Sequence, residues 1–310
     1  MSRALFLINS PLQALCAIEY SEKFGVKCSD YYIVANTERD TVPIKKLLDS
    51  RHITYKAFEI SGIFKCLRMI PKYNPKYDLV VMGEYFGINM RIFAFLFGKR
   101  KIQWIYLDDG SSSLEMKNGV KANMSFHHRV LFKAVRFLQR FWHVDELFFS
   151  AFLNKDDYPE LKIIDNDFSG LFKNNKLCSE ERWVVVVGSY INEFKRVGKD
   201  YIRFLERADN YIKTHYPDSR ISYFPHRYED DLDKITQFCN NHQWEMIIPD
   251  INIEIEIFDG GVKPSAIIGF GSSALFTLKR LLIDVPVATY EYMDGDSWDE
   301  YQKHGIDILK

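Results

Sequence analysis

Two adjacent carboxylates, Asp108 and Asp109, follow an apolar run in the segment Tyr106-Leu107-Asp108-Asp109-Gly110. Carboxylates at the end of a buried strand are costly unless they are solvated, hydrogen-bonded or used in chemistry. A positioned carboxylate can act as a general base that takes the proton from an attacking sugar hydroxyl. The structural alternative is an Asp-Gly turn in which the side chain caps the backbone. A metal site would need further oxygen ligands, which this segment does not supply.

A second polar segment, Tyr223-Phe224-Pro225-His226-Arg227-Tyr228-Glu229, also follows an apolar run. A histidine here can donate a hydrogen bond or a proton to a departing phosphate oxygen, and an arginine suits phosphate or carboxylate. Glu229 could bind a ribose hydroxyl. The alternative is an exposed loop in which Glu229 only favours the start of a helix.

The third segment is Gly269-Phe270-Gly271-Ser272-Ser273-Ala274-Leu275. Gly271 lets the backbone approach a ligand closely, and Ser272 and Ser273 open a predicted helix whose free N–H groups attract an anion. Ordinary N-capping by serine is the alternative. The spacing is that of neither a P-loop nor a dinucleotide-binding glycine motif.

Apolar runs alternate with helical patterns through both halves of the chain. The predicted strands are Ala4–Ile8, Tyr31–Ala35, Thr54–Ile60, Asp78–Met82 and Lys101–Leu107, then Trp183–Val187, Arg220–Phe224, Ala266–Ile268 and Pro286–Thr289. This alternation is typical of parallel sheets with right-handed crossovers. We predict an α/β protein with two Rossmann-like doubly wound domains, 1–155 and 180–310, a linker over 156–179, and a GT-B-like active site in the cleft between them. Periplasmic-binding-protein-like folds share this outline.

Further candidates follow other predicted strands. The residues predicted to contact acceptor or donor sugar are Asn9, Ser10, Gln13, Glu84, Tyr85 and Gly110. Gly188 and Ser189, after the strand Trp183–Val187, are assigned to the donor side together with the glycine and serines of the third segment. Helix capping and helix packing are the alternatives for the residues that follow the first strand.

Composition excludes several classes of partner. The net charge is −1, so no overall positive field indicates nucleic acid binding. Five scattered cysteines indicate reduced thiols rather than a disulfide framework, and no apolar run is long enough to cross a bilayer. We therefore expect a cytoplasmic protein. A homodimer is compatible with the sequence, which does not specify the oligomeric state.

A basic helix is predicted over residues 125–142. It carries Arg129, Lys133, Arg136 and Arg140 among apolar residues. Such a helix can rest on the anionic inner face of the cell membrane. Ordinary packing with a solvated cationic face is the alternative.

With the three segments in this order, the chain resembles bacterial sialyltransferases of glycosyltransferase family 52, which act on lipooligosaccharide and capsular polysaccharide. Asp108-Asp109-Gly110 is similar to their acidic-acidic-glycine motif, Ser272-Ser273 to their serine pair, and His226 to the histidine of their His-Pro motif. The run Leu7-Ile8-Asn9-Ser10-Pro11-Leu12-Gln13 resembles the start of streptococcal capsular members. Here proline precedes His226 and Arg227 follows it, so the His-Pro order is not kept and Arg227 becomes an additional candidate ligand.

The resemblance implies inverting transfer of sialic acid from CMP-N-acetylneuraminic acid to a terminal galactose hydroxyl, with an α2,3 linkage expected. Asp108 would be the base and Asp109 a supporting or interchangeable carboxylate, while His226 would assist departure of CMP. Ser272 and Ser273 would hold the phosphate. CMP leaves with a single phosphate, so neither a metal nor another cofactor is expected. The alternatives are a GT-B transferase for another nucleotide-activated sugar and a non-catalytic two-domain sugar-binding protein.

Overall fold

The computed structural model describes residues 3–35, 37–57, 77–110, 113, 126–172, 176–179, 181–196, 198–229, 231–291 and 297–309. The chain divides into two compact units, Met1–Lys173 and Asn174–Lys310. Each unit is built around one parallel β-sheet.

Among its described residues, the first unit has seven strands in its sheet. They are β1 (Ala4–Ile8), β2 (Ser29–Ile33), β3 (Tyr55–Ala57), β4 (Tyr77–Met82), β5 (Gly98–Leu107), β6 (Asp145–Ser150) and β7 (Ile163–Asp165). The described helices are α1 (Pro11–Lys23), α2 (Glu38–Ser50), α3 (Ile88–Phe97) and α4 (Phe126–Phe141). Residues 58–60, which end the predicted third strand, lie outside the described residues.

The strand order of the first sheet is β3-β2-β1-β4-β5-β6-β7. The chain runs outward from β1 in one direction and then restarts at β4 on its other side, which is the Rossmann arrangement. β1 is buried along its whole length, as its uninterrupted apolar run predicts. The order reverses between β1 and β4, and ligands of open α/β sheets bind beyond the carboxyl ends of the strands at such a switch point.

Within the part that the structure describes, the second unit repeats this order with six strands, β10-β9-β8-β11-β12-β13. They are β8 (Trp183–Val187), β9 (Arg220–Phe224), β10 (Glu245–Met246), β11 (Ala266–Gly269), β12 (Val287–Tyr290) and β13 (Asp307–Leu309). Its described helices are α5 (Ile191–Arg196), α6 (Tyr201–His215), α7 (Leu232–His242), α8 (Ile253–Gly260), α9 (Ala274–Leu281) and α10 (Ser297–Lys303). The switch point of this sheet lies between β8 and β11.

The first unit extends past the predicted boundary at residue 155. Residues 156–172 of the predicted linker include β7, which pairs with β6. The buried carboxylate of Glu19 in α1 accepts the backbone N–H groups of Gly170 at 2.9 Å and Leu171 at 2.6 Å. β7 is an edge strand of the sheet, and edge strands commonly carry polar residues, so a polar segment with little apolar periodicity can still form one.

The segment between β8 and β9 forms two helices, α5 and α6, rather than the one long helix that its apolar periodicity predicts. Gly198 lies between them with φ +68°, a left-handed conformation that glycine adopts without strain. Asp200 then starts α6 as its N-cap, since its side chain accepts the N–H of Ile202 at 3.0 Å. The apolar periodicity continues across this break, so the pattern alone does not reveal it.

Candidate active site

Four side chains form a hydrogen-bonded network at the switch point of the first unit. Asn9, just after β1, donates from Nδ2 to Oε2 of Glu84 at 3.0 Å. Its backbone N–H donates to Oε1 of Gln13 at 2.9 Å. The other end of the Gln13 amide donates from Nε2 to Oδ1 of Asp109 at 2.6 Å. The structure therefore brings together residues that follow three different strands, β1, β4 and β5, with a residue of α1.

The backbone beside this network permits the close approach. A Cβ atom on Gly83 would overlap the side-chain amide of Gln13. Glu84, the next residue, has φ +53°, a left-handed conformation that is unfavourable for a residue with a side chain. Unfavourable backbone conformations of this kind concentrate at functional sites. Ser10 acts as the N-cap of α1 and accepts the N–H of Gln13 at 3.3 Å, which is the capping alternative for that residue.

Asp108 is buried, with only 1% of its surface exposed. Its Oδ1 accepts the hydroxyl proton of Ser150, and its Oδ2 accepts the backbone N–H of Ala151 at 2.7 Å. Burial raises the pKa of Asp108 from 3.8 to about 7, although the hydrogen bonds from Ser150 and Ala151 act in the opposite direction. The carboxylate of Asp108 thus binds the turn after β6. The sequence did not predict β6 or this contact.

Asp109 is only partly buried and lines a pocket at the end of β5. Its backbone N–H donates to Oγ of Ser113 at 2.9 Å, and Gly110 follows with φ +61°. Glu84 and Tyr85 line the same pocket, together with Asp108. Of the two adjacent carboxylates, Asp109 is the one with solvent access, and the amide of Gln13 orients it.

A buried cation supports the wall of this pocket and was missed in the sequence. The guanidinium of Arg91, fully buried, donates to the backbone oxygen of Tyr85 at 2.8 and 2.6 Å and to Oε1 of Gln139 at 2.6 Å. It lies 4.6 Å from the Tyr85 ring centroid and 4.9 Å from that of Tyr106, and 3.5 Å from the carboxylate of Glu146. The only sequence signal is an arginine within an apolar helix.

In the second unit, His226 lies just beyond the end of β9. Its Nδ1 accepts the backbone N–H of Tyr228 at 3.3 Å. This geometry assigns the proton of the neutral imidazole to Nε2, so the ring can donate a hydrogen bond from that nitrogen. The ring of Tyr190 lies 6.1 Å away, centroid to centroid.

Arg227 and Glu229 flank this histidine but differ in their surroundings. Arg227 is exposed, and its guanidinium carbon lies 5.0 Å from the centroid of the Tyr228 ring. Glu229 is buried, with Oε2 accepting the N–H of Ile191 at 3.1 Å and Oε1 accepting that of Asp231 at 3.0 Å. Glu229 therefore organises the start of α5 and the loop before α7. Its role toward a ribose stays a prediction.

Gly188 and Ser189 follow β8 at the switch point of the second sheet. The N–H of Gly188 donates to the backbone oxygen of Phe224 at 2.8 Å. The buried Ser189 donates its N–H to the hydroxyl of Tyr201 at 3.1 Å, and that hydroxyl is 2.7 Å from the hydroxyl of Tyr223. These residues hold the turn after β8 in place beside the loop that carries the histidine.

The glycine–serine segment follows β11 on the other side of that switch point. Gly271 has φ +72°, and its N–H donates to Oγ1 of Thr289 at 2.9 Å. Helix α9 begins at Ala274, two residues later than predicted, because Ser272 and Ser273 form a turn before it. Ser272 Oγ accepts the N–H of Ala274 at 3.3 Å, whereas Ser273 is the N-cap without a side-chain capping bond. Both serines are partly exposed.

Glu254, in the first turn of α8, is a further buried carboxylate that the sequence did not indicate. It accepts the hydroxyl proton of Thr277 in α9. Burial raises the pKa of Glu254, although the hydrogen bond from Thr277 acts in the opposite direction. The hydrogen bond between Glu254 and Thr277 thus joins α8 to α9, the helix that follows the serine pair.

Across the described ranges, no three His, Cys, Asp or Glu side chains gather in an arrangement that could hold a metal ion. The expectation of a metal-independent reaction stays a prediction.

Comparison with known proteins gives structural matches only. No protein-family model matches the chain, and no curated protein sequence matches it. An α/β-galactoside α-2,3-sialyltransferase from Photobacterium phosphoreum is similar in structure, with a TM-score of 0.60, 10% sequence identity and 98% of each chain covered.

The chain has a GT-B-like α/β fold. A 2,6-sialyltransferase from a Photobacterium species of the Vibrionaceae, solved with the donor product CMP and the acceptor substrate lactose, matches with a TM-score of 0.54. It is 13% identical, and the match covers 99% of this chain and 78% of that one. These similarities confirm the predicted GT-B-like α/β fold.

The same fold also serves a different reaction. A UDP-GlcNAc 2-epimerase from Neisseria meningitidis matches with a TM-score of 0.55 and 11% identity, over 99% of this chain and 87% of that one. Because one fold hosts several chemistries, the function of this chain has to be argued from its own residues.

Proposed function

We propose that the protein is a sialyltransferase that moves sialic acid from CMP-N-acetylneuraminic acid to a hydroxyl of a galactose-terminated glycan. The observation that carries this proposal is the network of Asn9, Gln13, Glu84 and Asp109 at a Rossmann switch point. It orients one accessible carboxylate beside a pocket, as removal of a proton from a weakly acidic hydroxyl requires. The fold that the chain shares with bacterial sialyltransferases, one of them solved with CMP and lactose, also supports the proposal.

In this mechanism Asp109, rather than Asp108, is the general base. The acceptor oxygen forms a bond to the anomeric carbon of sialic acid as the bond from that carbon to the CMP phosphate oxygen breaks. The hydroxyl proton passes to the carboxylate of Asp109, and the bonding electrons leave with CMP. Asp108 is the less suitable base because it is buried and both of its oxygens already accept hydrogen bonds.

The second unit supplies groups suited to the leaving phosphate. His226 donates from Nε2 to a phosphate oxygen, since its Nδ1 is occupied by the N–H of Tyr228. The partly exposed Ser272 and Ser273 donate hydroxyl hydrogen bonds to the same anion. These donors stabilise the charge that develops as CMP departs. We propose that this suffices without a metal ion, and that the linkage formed is α2,3.

The test is CMP release from CMP-N-acetylneuraminic acid, measured with and without lactose and in the presence of EDTA. We expect release that depends on lactose and persists in EDTA. Asp109→Asn should lower kcat by about 10²- to 10⁴-fold, as loss of a general base does. His226→Ala should also lower kcat, because the departing phosphate loses a donor.

Matched variants separate these effects from general damage. Asp259→Asn and His215→Ala remove the same groups at exposed positions of α8 and α6, and both should retain wild-type activity. Absence of CMP release together with absence of CMP binding by calorimetry would refute the sialyltransferase proposal. Binding of a UDP-sugar in its place would indicate a transferase for another activated sugar.

A further inference from the structure

Helix α4 is anchored to the first unit by one face. Phe132, Val135 and Gln139 are buried along this inner face. The two apolar side chains pack with Phe86 and Ile88 in a hydrophobic cluster beside the pocket. Gln139 accepts a hydrogen bond from the buried Arg91. The helix is therefore held in a defined orientation, which determines the residues that it presents outward.

The outward face of α4 is apolar. Phe126, Val130, Phe137 and Phe141 are separated by 4, 7 and 4 residues, so they lie along one side of the helix. Their exposed fractions are 76%, 50%, 71% and 67%. Single exposed apolar residues are common, but a row containing three exposed phenylalanines indicates an interaction surface.

Positive charges border this apolar row. Arg129, Lys133 and Arg140 are exposed and lie along one flank, at spacings of four and seven residues. Arg136, further inward on the same flank, is paired with Glu146. The helix sequence from 126 to 141 contains no Asp or Glu. The cations are complementary to an anionic surface, and the apolar row is complementary to an apolar layer beneath that surface.

We propose that the outward face of α4 docks on an anionic lipid bilayer, with its phenylalanines inserted among the acyl chains and its cations at the phosphate headgroups. Among the described residues, no helix is long and apolar enough to span a bilayer, so the contact is peripheral. Of the span predicted from the sequence, Ser125 lies outside the described residues. The inference does not depend on the proposed function.

The test is flotation of the protein with vesicles of phosphatidylglycerol and phosphatidylcholine, compared with vesicles of phosphatidylcholine alone. We expect binding to the anionic vesicles that weakens as salt is added. The variant Phe137→Ser with Phe141→Ser should lower the partition coefficient at least about tenfold. The variant Lys133→Glu with Arg140→Glu should lower it by a similar factor and remove the salt dependence.

The control is Ile248→Ser with Ile283→Ser, which removes two exposed apolar side chains from the second unit. It should bind vesicles as the wild type does, and circular dichroism of every variant should show an unchanged fold. Equal vesicle binding by the wild type and both α4 variants would overturn the proposal. Absence of vesicle binding by the wild type would also overturn it. In that case, light scattering is compared for the two proteins. A wild-type dimer that becomes a monomer in Phe137→Ser with Phe141→Ser would show that a second copy of the chain covers the outward face of α4.

Discussion

The side-chain amide of Gln13 and the carboxylate of Asp109 lie 2.6 Å apart, Nε2 to Oδ1, although 96 residues separate them in sequence. The oxygen of the same amide accepts the N–H of Asn9 at 2.9 Å. With both ends engaged, the amide has one orientation, and it points a donor at Asp109. The first helix thus positions the carboxylate at the end of β5.

Replacing Gln13 with Glu tests this relationship. The new side chain can still accept the N–H of Asn9, but it brings a second carboxylate against Asp109. Two carboxylates this close share a proton, so the pKa for the second ionisation of the pair rises. We expect the acid limb of the pH profile of kcat/KM to move upward by about one pH unit or more. Gln302→Glu, an exposed substitution with the same charge change, should leave the profile unchanged.

Asp108→Asn should destabilise the protein. Both oxygens of the native carboxyl group accept hydrogen bonds, from Ser150 and from the N–H of Ala151, whereas the NH2 group of an amide can accept neither of them. We expect a loss of about 1–3 kcal/mol in the free energy of unfolding, the penalty of a buried polar mismatch. Urea denaturation measures it, with the exposed Asp259→Asn as control. Equal stability of Asp108→Asn and the wild type would show that Asp108 is not structural.

Asp108 should also make stability depend on pH. Burial raises its pKa from 3.8 to about 7 in the folded protein, so folding takes up a proton between these values. Its contribution to the folded state is full below pH of about 4 and is lost as pH rises through 7. The stability advantage of the wild type over Asp108→Asn should therefore shrink with pH, by at most about 1.4 kcal/mol per unit. Parallel stability curves from pH 5 to 8 would contradict this pKa.

Gly83→Ala should disturb the network from the backbone side. The added methyl group would overlap the Gln13 amide, which must then move away from Asp109. We expect a loss of about 1–3 kcal/mol in stability, as for other overpacked sites, together with reduced kcat. Gly260→Ala is the matched control, because a Cβ atom there meets nothing within 4 Å. If both variants behave alike, the close packing at Gly83 is unimportant.

Arg91→Met should weaken the pocket wall without touching the network. The substitution removes the donors to the Tyr85 backbone oxygen and to Gln139, and it leaves Glu146 paired with Arg136 alone. We expect a loss of about 2–4 kcal/mol in unfolding free energy, measured by urea denaturation. Arg203→Met, at an exposed position of α6, should be within about 0.5 kcal/mol of wild type. If Arg91→Met is as stable as the wild type, Arg91 does not stabilise the pocket wall at Tyr85.

Local sequence predicted the central strands well. β1, β8 and β9 have the predicted bounds, because uninterrupted or nearly uninterrupted apolar runs stop at polar residues. The start of α1 is also determined by local residues: Ser10 caps the helix, and the fixed φ of Pro11 suits its first position. β6 and β7 were missed, since they are short, carry charged residues and become strands by pairing with neighbours.

The sequence by itself determined the alternating α/β pattern, the central strands and the polar segments that follow them. Only the tertiary structure distinguished Asp108 from Asp109, because their surroundings come from β6 and α1, which are distant in the chain. The same holds for the face of α4 that stays exposed, since packing against Phe86 and Ile88 selects the buried side. Apolar periodicity depends on neighbouring residues, whereas burial, hydrogen-bond partners and pKa depend on contacts made across the whole fold.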